Sequence, residues 1–554
     1  MARGLIAICL ITLLACSSVE GRGLELAHLN GAEHQSVGDH VHGVVANVTV
    51  GGFNFQLNLS NPKLVEELKI KRLDFPSDFM FGAATSAAQS EGSAKEGGRG
   101  PSGWDHRMET LPEKLRNSTK FPMAVDGYKR YKEDIKLIKD AGLNSYRFSI
   151  SWSRILPKGS LSGGINQEGI DHYNSLIDEL IKNGITPFVT IYHFDMPLAL
   201  EEKYGGLLNR SFVNDFKDYS ELLFKKFGDR VKHWFTINEP NILAQYGYEL
   251  GISPPGRCSL PSTLCALGSP VKCFETVGPC KFGGNSSTEP YVAAHNIILA
   301  HATVVKLYKE KYQEQQKGEV GIVLASQYFL PYTQSEEDKA AAGRLFDFYL
   351  GWFMGPLVFG DYPQSMKERV KDRLPTFSAQ EKVLLNGSLG LVGINYYTST
   401  YAKHKAPPPG EALRYSFDQW AETIAIQDEE ILGVTNSHWP EGLQRLLEYV
   451  KDKYQNPKLY ISENGLSDHK DNDSPLEVLL EDPYRISFVT RHLYRINKAI
   501  KNGVNVKGYF CWALFDDIEW GMGFNRVGIY FVDFSNYTRY PKLSVKWFRA
   551  FLQG

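Results

Sequence analysis

Apolar residues along this chain recur in two alternating rhythms. Short runs rich in Val, Ile, Tyr, Phe and Trp are separated by longer stretches whose apolar positions fall three and four apart. From residue 73 onward the short runs are FMFGAAT (79–85), SYRFSIS (145–151), ITPFVTIYH (185–193), HWFTIN (233–238), VGIVLAS (320–326), LGLVGINYY (389–397), LYISEN (459–464) and VKGYFCWALF (506–515). Between them the pattern predicts helices, most plainly over 128–141, where Gly142 ends the periodicity, and over 170–182. Eight strand-like runs alternating with helices predict parallel crossovers, and hence a closed (β/α)8 barrel. An open doubly wound sheet would carry a Gly-rich phosphate turn after its first strand. The Gly-rich EGGRG at 96–100 neither follows a strand nor opens a helix. The expected fold is therefore α/β, a single TIM barrel with long βα loops spanning 73–554.

Residues 22–72 break this rhythm. They are rich in Gly, His, Asn and Ser, hold no sustained period, and are expected to form an N-terminal extension, either a propeptide or a disordered segment. Ahead of them, Arg3 supplies a basic start and residues 5–15 (LIAICLITLLA) are almost unbrokenly apolar before the small residues of CSSVEG. This is the layout of a cleavable secretory signal, assigned to 1–21. A membrane span needs ~20 apolar residues, which no later stretch supplies. Eight N-x-S/T sequons agree with export, at Asn47, Asn58, Asn117, Asn209, Asn285, Asn386, Asn472 and Asn536, although Pro475 makes Asn472 a poor acceptor. The expected location is the secretory pathway, extracellular or vacuolar.

Of seven cysteines, Cys9 and Cys16 lie within the signal. Cys258, Cys265, Cys273 and Cys280 crowd one Gly/Pro-rich segment and are expected to pin a loop by disulfides, with all three pairings open. Neither a C-x-x-C pair nor a neighbouring histidine suggests zinc there. Cys511, in an apolar run, is expected to be a buried free thiol. A formal net charge of -2 argues against nucleic acid or an anionic membrane as the main partner.

Unusual polar residues collect at the ends of the predicted strands. Gln89 and Glu91 follow the first run, Arg147 lies in the second and His193 closes the third. Asn238 and Glu239 close the fourth, Asn395 and Tyr397 the sixth, Glu463 and Asn464 the seventh, and Glu519 follows the eighth. A barrel gathers the C-terminal ends of its strands at one mouth, where barrel enzymes act. Any one of these residues alone reads as a surface or helix-capping group; their recurrence at strand after strand does not. Two of them are glutamates on different strands, able to reach one substrate from two sides. Glycoside hydrolysis needs that arrangement: one carboxylic acid to protonate the departing oxygen, and a second carboxylate to attack or to activate water on the opposite face.

Glu239 stands in TINEP (236–240) and Glu463 in ISENG (461–465). In this order and at about this separation they resemble the two signature motifs of glycoside hydrolase family 1, the β-glucosidase family. Further motifs fall in order: FGAATSAAQSEG (81–92), YRFSISWSRILP (146–157), YHFDMP (192–197), GINYYTS (393–399) and WALFDDIEW (512–520). The pattern of the plant members runs from about residue 72 to residue 552. The resemblance implies a retaining mechanism, with Glu239 as general acid/base, Glu463 as nucleophile and the two carboxyls ~5–5.5 Å apart. It places Arg147 and Tyr397 beside the nucleophile, where a cation and a phenol favour the charged form, and leaves Glu239 protonated at rest. Gln89, His193, Asn238 and Glu519 match the family's ligands for sugar hydroxyls, and Trp512 and Trp520 match aromatics that pack on the sugar. The implied substrate is a small-molecule β-glucoside, and no cofactor or metal is implied.

The chain departs from the family pattern in places. Ala88 stands where Tyr usually precedes the sugar-binding Gln, and Phe194 where Trp usually follows His193. The segment GMGFNRVG (521–528) is one residue short, with Phe524 in place of Tyr. In NSHWPEG (436–442) the leaving-group-stacking tryptophan aligns with either Asn436 or Trp439. Three rival readings follow: a thioglucoside hydrolase, a hydrolase of a non-sugar substrate such as hydroxyisourate, and an inactive sugar-binding or storage protein. Glutamate rather than glutamine at 239 opposes the first, the intact sugar-ligand set the second, and both carboxylates with their supports the third. No H-E-x-x-H or comparable histidine cluster supports a metal-dependent hydrolase.

Overall fold

Each apolar run can be satisfied only where both faces of a strand are covered, and a closed parallel barrel provides that. The computed structural model describes the backbone of residues 45–50 and 53–58, and residues 66–110, 123–259, 284–425, 438–468, 470, 473–520 and 523–554. An antiparallel hairpin, β1 (Val45–Val50) and β2 (Phe53–Asn58), lies within the segment expected to be an N-terminal extension, either a propeptide or disordered. The barrel strands are β3 (Met80–Ala84), β4 (Ser145–Ser149), β5 (Thr186–Tyr192), β6 (His233–Asn238), β7 (Glu319–Pro331) and β8 (Leu391–His404), followed after the edge strand β9 (Ala421–Ala425) by β10 (Leu459–Asn464) and β11 (Val506–Trp512). β3 to β8 pair in parallel in sequence order, β8 pairs with β10, β10 with β11, and β11 returns to β3, so the eight strands close.

Two apolar layers follow from the strand alternation. Phe188, Phe235, Val323, Tyr460 and Phe510 fill the lumen beneath the mouth. The outward residues pack against helices such as Gly127–Asp140 and Gln167–Lys182, whose buried Ile135, Ile138, Ile170, Ile177 and Leu180 carry the three-and-four spacing seen in the sequence.

Two boundaries differ from expectation. Residues 66–72 belong with the barrel rather than the extension: Leu68 and Ile70 join the main core, and buried Glu67 pairs with Arg491 at 2.6 Å and with Arg495. A short charged stretch gives no periodic signal, so only its partners reveal it. β7 and β8 continue together past the barrel rim, and β9 adds antiparallel to the far half of β8. Cys511 is free and buried, and burial pushes its thiol up to about 12. Cys258 is disulfide-bonded; Cys265, Cys273 and Cys280 lie outside the described residues, so the pairing stays open.

Candidate active site

The mouth is built by irregularity at two strand ends. β6 slips register against β7 between Phe235 and Asn238, and β10 slips against both neighbours between Ile461 and its last residues. Such slips re-aim side chains, and each comes just before a glutamate. Glu239 then takes a left-handed backbone conformation (φ 44°) as it enters the helix Pro240–Tyr248, with its N–H fixed to the Val323 carbonyl at 2.9 Å. Phe194, just past His193, is left-handed as well (φ 65°). Such conformations cost about 1–3 kcal/mol each and persist where the surroundings over-determine them. Gly465, directly after β10, is required for another reason: a Cβ there would lie 1.7 Å from the Trp512 carbonyl, so only glycine lets the ends of β10 and β11 meet.

Glu463 is held from two sides. Arg147 Nη1 lies 2.6 Å from one carboxylate oxygen, and the Tyr397 hydroxyl donates to the other at 2.7 Å. Arg147 is itself fully buried and fixed by Thr190 Oγ1 (3.2 Å), the Ser462 carbonyl (3.2 Å) and Asn238 Oδ1 (2.6 Å). Glu239 has a different environment: the Asn395 amide donates to Oε1 at 2.8 Å, and among the described residues no cation is hydrogen-bonded to it. Burial, and then the charge of Glu463, push Glu239 up to about 8, with Asn395 and Arg147 opposing.

Hydrogen bonding fixes every amide in this network. The Ser462 hydroxyl donates to Asn395 Oδ1 at 2.6 Å, which turns the Asn395 NH2 toward Glu239 and Asn238. Asn238 Oδ1 accepts from Arg147 and Asn395, so its own NH2 faces His193 Nε2 at 3.2 Å. His193 is thereby held neutral, and burial and then Arg147 press it well below its ordinary value.

On the opposite wall, Glu519 ends the short strand β12 (Asp517–Glu519), which pairs with β13 (Gly523–Asn525). Its Oε1 accepts from Trp512 Nε1 at 3.1 Å and from Gln89 Nε2 at 3.4 Å. Burial lifts Glu519 to about 7, the Trp512 N–H opposing and the Glu463 charge adding. The His193 ring lies nearly parallel to both Trp512 and Trp520, with centroids 5.9 Å away in each case.

Gln89, Arg147, His193, Asn238, Glu239, Tyr397, Glu463, Trp512, Glu519 and Trp520 thus form one connected constellation. Glu91 does not join it; it binds Arg154 and the Tyr173 hydroxyl, a structural cluster behind the barrel wall. Trp439 packs near Tyr328 and beneath the Arg445 guanidinium, while Asn436 lies outside the described residues. Ala88, Phe194 and Phe524 converge on one apolar cluster with Trp104, Met108, Ile518 and Trp520. Asn395, noted in the sequence only as a strand-end residue, is the amide that touches Glu239.

Two buried carboxyls at a barrel mouth, one clasped by a cation and a phenol and the other raised by burial, form the kind of pair that glycoside cleavage requires. The chain belongs to glycosyl hydrolase family 1, whose model matches residues 71–554. Among its relatives, it is 48% identical over 490 residues to a furostanol glycoside 26-O-β-glucosidase of Hellenia speciosa, covering 87% of this chain and 84% of that protein. It is 46% identical over 497 residues to a coniferin β-glucosidase of Pinus contorta, covering 88% and 94%. A crystal structure of a rice β-glucosidase superposes with a TM-score of 0.80 at 43% identity, covering 87% of this chain and 99% of that one.

Proposed function

We propose that, in this retaining β-glucosidase-type hydrolase, Glu463 attacks the anomeric carbon and Glu239 serves as acid, then base. The observation that carries the assignment is the asymmetry between the two carboxyls. Arg147 and Tyr397 engage both oxygens of Glu463, which suits a group that must attack as an anion. Glu239 is lifted to about 8 and so holds its proton at neutral pH, ready for the departing oxygen. Once a glycosyl ester neutralises Glu463, one of the two causes of that elevation is gone, and Glu239 becomes a base for the incoming water. Gln89, His193, Asn238 and Glu519 are assigned to the sugar hydroxyls, and Trp512 and Trp520 to its apolar face. The substrate class is a β-glucoside of a small plant metabolite, in keeping with relatives named for a furostanol glycoside and coniferin.

Passage through the secretory pathway belongs to the same reading. The apolar residues 5–15 and the exposed sequon asparagines Asn285, Asn386 and Asn536 support it.

The test is nitrophenol release from p-nitrophenyl β-D-glucoside by wild type, Glu463→Ala and Glu239→Ala. Both variants should lose activity, Glu239→Ala by on the order of 10²–10⁴-fold. Azide should rescue Glu463→Ala to give the α-glucosyl azide and Glu239→Ala to give the β-azide. The reverse stereochemistry would exchange the two roles. Folded wild type inert on gluco-, fuco-, galacto- and disaccharide substrates would overturn the glycosidase reading and bring forward a non-sugar hydrolase or a binding protein.

A further inference from the structure

Beside Glu519 lies another carboxyl that the reaction described above does not use. Asp517 stands two residues earlier on β12, so the two side chains leave the strand on the same face. Asp517 is fully buried, and among the described residues neither of its carboxylate oxygens has a hydrogen-bond partner. Its neighbour Asp516 is equally buried but fully engaged. Lys542 Nζ lies 2.7 Å from one oxygen, which also accepts the Gly528 N–H at 3.0 Å, and Arg526 Nη1 lies 3.1 Å from the other. The charges that face Asp517 are negative: Glu519 on its own strand, Asp516 next to it, and Glu463 from β10. β13 sets uncharged Asn525 opposite it, and the helix Ala87–Ser90, packed on β12, carries Gln89 and Ser90 but no ionisable group.

Glu519 and Asp517 therefore form a pair with unequal support. Glu519 receives two N–H donors, from Trp512 and Gln89, which stabilise a carboxylate; Asp517 receives none. A buried carboxylate without donors sheds its charge by taking a proton. We propose that Asp517 is a positioning residue for sugar binding: it holds the proton of the Asp517–Glu519 pair, and its neutrality leaves Glu519 charged to accept hydrogen bonds from sugar hydroxyls. The proposal rests on the reading of Glu519 as a sugar ligand. The electrostatics agree, because burial and then the Glu519 charge hold Asp517 well above the ordinary carboxylate range, whereas Glu519 is lifted only to about 7.

Asp517→Asn tests this, because the amide copies the shape of the neutral acid. Two measurements on the full-length enzyme are read together. The first is Tm against pH. A folded chain obliged to keep a proton on Asp517 loses stability as pH rises above ~4, because the unfolded chain releases that proton. The Tm advantage of Asp517→Asn over wild type should therefore widen from pH 4 to pH 8. The second is inhibition by free glucose against pH, which weakens in acid as Glu519 takes a proton. The midpoint of that weakening should move by less than about 0.5 pH unit in Asp517→Asn. A midpoint lowered by about one unit or more would mean that Asp517 had carried a charge beside Glu519, and would overturn the proposal. An Asn variant that is unfolded, or destabilised equally at every pH, would overturn it too. Wild type insensitive to glucose throughout would remove the proposal by way of Glu519, and the Tm series would show that this, rather than the charge state of Asp517, had failed.

Discussion

The hydroxyl of Tyr397 is worth isolating, because it donates directly to Glu463. Phenylalanine keeps the ring and removes one hydrogen bond to a charged acceptor, a loss of about 1.5–3 kcal/mol. Tyr397→Phe is therefore expected to lower kcat/KM by roughly 10- to 150-fold with little change in Tm. A pre-steady-state burst of nitrophenol would show whether glycosylation is the step affected. Unaltered kcat/KM would mean that Arg147 alone suffices to hold Glu463. Residues of this kind were legible in the sequence because each stands at a strand end inside a distinctive motif. Asn395 was visible but not assigned, since its role depends on which way its amide points, and Ser462 settles that from another strand. Asp517 was not singled out at all, because an acid beside an acid looks solvated until burial is known.

At the scale of elements, the ends of β10 and β11 meet through a single hydrogen-sized gap at Gly465. Gly465→Ala must push its methyl against the Trp512 carbonyl or part the two strands. Overpacking of this kind costs about 1–3 kcal/mol. Because Glu463 and Trp512 lie on those two strand ends, the substitution is expected to lower Tm and kcat together. A normal kcat with a lowered Tm would show that the mouth tolerates the displacement. The eight runs were readable because each is apolar on both faces and bounded by helix signals. β6 and β10 fall where HWFTIN and LYISEN predict them. The continuation of β7 and β8 was not readable, since past Ser326 the strands leave the barrel and their alternation slips. The hairpin of β1 and β2 was legible in principle, since VANVTV is rich in Val and FNFQLN alternates on the far side of Gly51 and Gly52, but the Gly-, His- and Asn-rich sequence around them holds no sustained period.

Across the whole molecule, two sets of buried groups set opposing responses to pH. Burial lifts Asp195 and Glu201 to about 7 and Glu249 to about 6, alongside Glu239. These groups stay protonated in the folded chain where the unfolded chain ionises. Their contribution to stability is complete below pH ~4 and is lost as pH rises toward 8. Burial pulls His172, His233, His295 and His301 down to about 4 and His492 to about 3. Their contribution is complete above pH ~6.5 and is lost as pH falls toward 4 and below. Below pH ~6.5 the two sets oppose one another; above it only the carboxyls act. Tm is therefore expected to be nearly level between about pH 4.5 and 6.5 and to fall from there to about pH 8.5. A calorimetric series in which Tm climbed over that upper range would show the carboxyls to be ionised in the folded state.

The seam of the barrel joins its last-translated barrel strand to its first, Gly508–Trp512 of β11 lying along Met80–Ala84 of β3. A ribosome that has delivered Glu239 has not yet delivered Glu463, and even a chain carrying both has no enclosed mouth until that seam is made. Chains truncated before β11 are consequently expected to be inert toward p-nitrophenyl β-D-glucoside, and activity in such a truncation would show that the seam is not required. Making that seam, rather than completing any one segment, is what encloses the mouth.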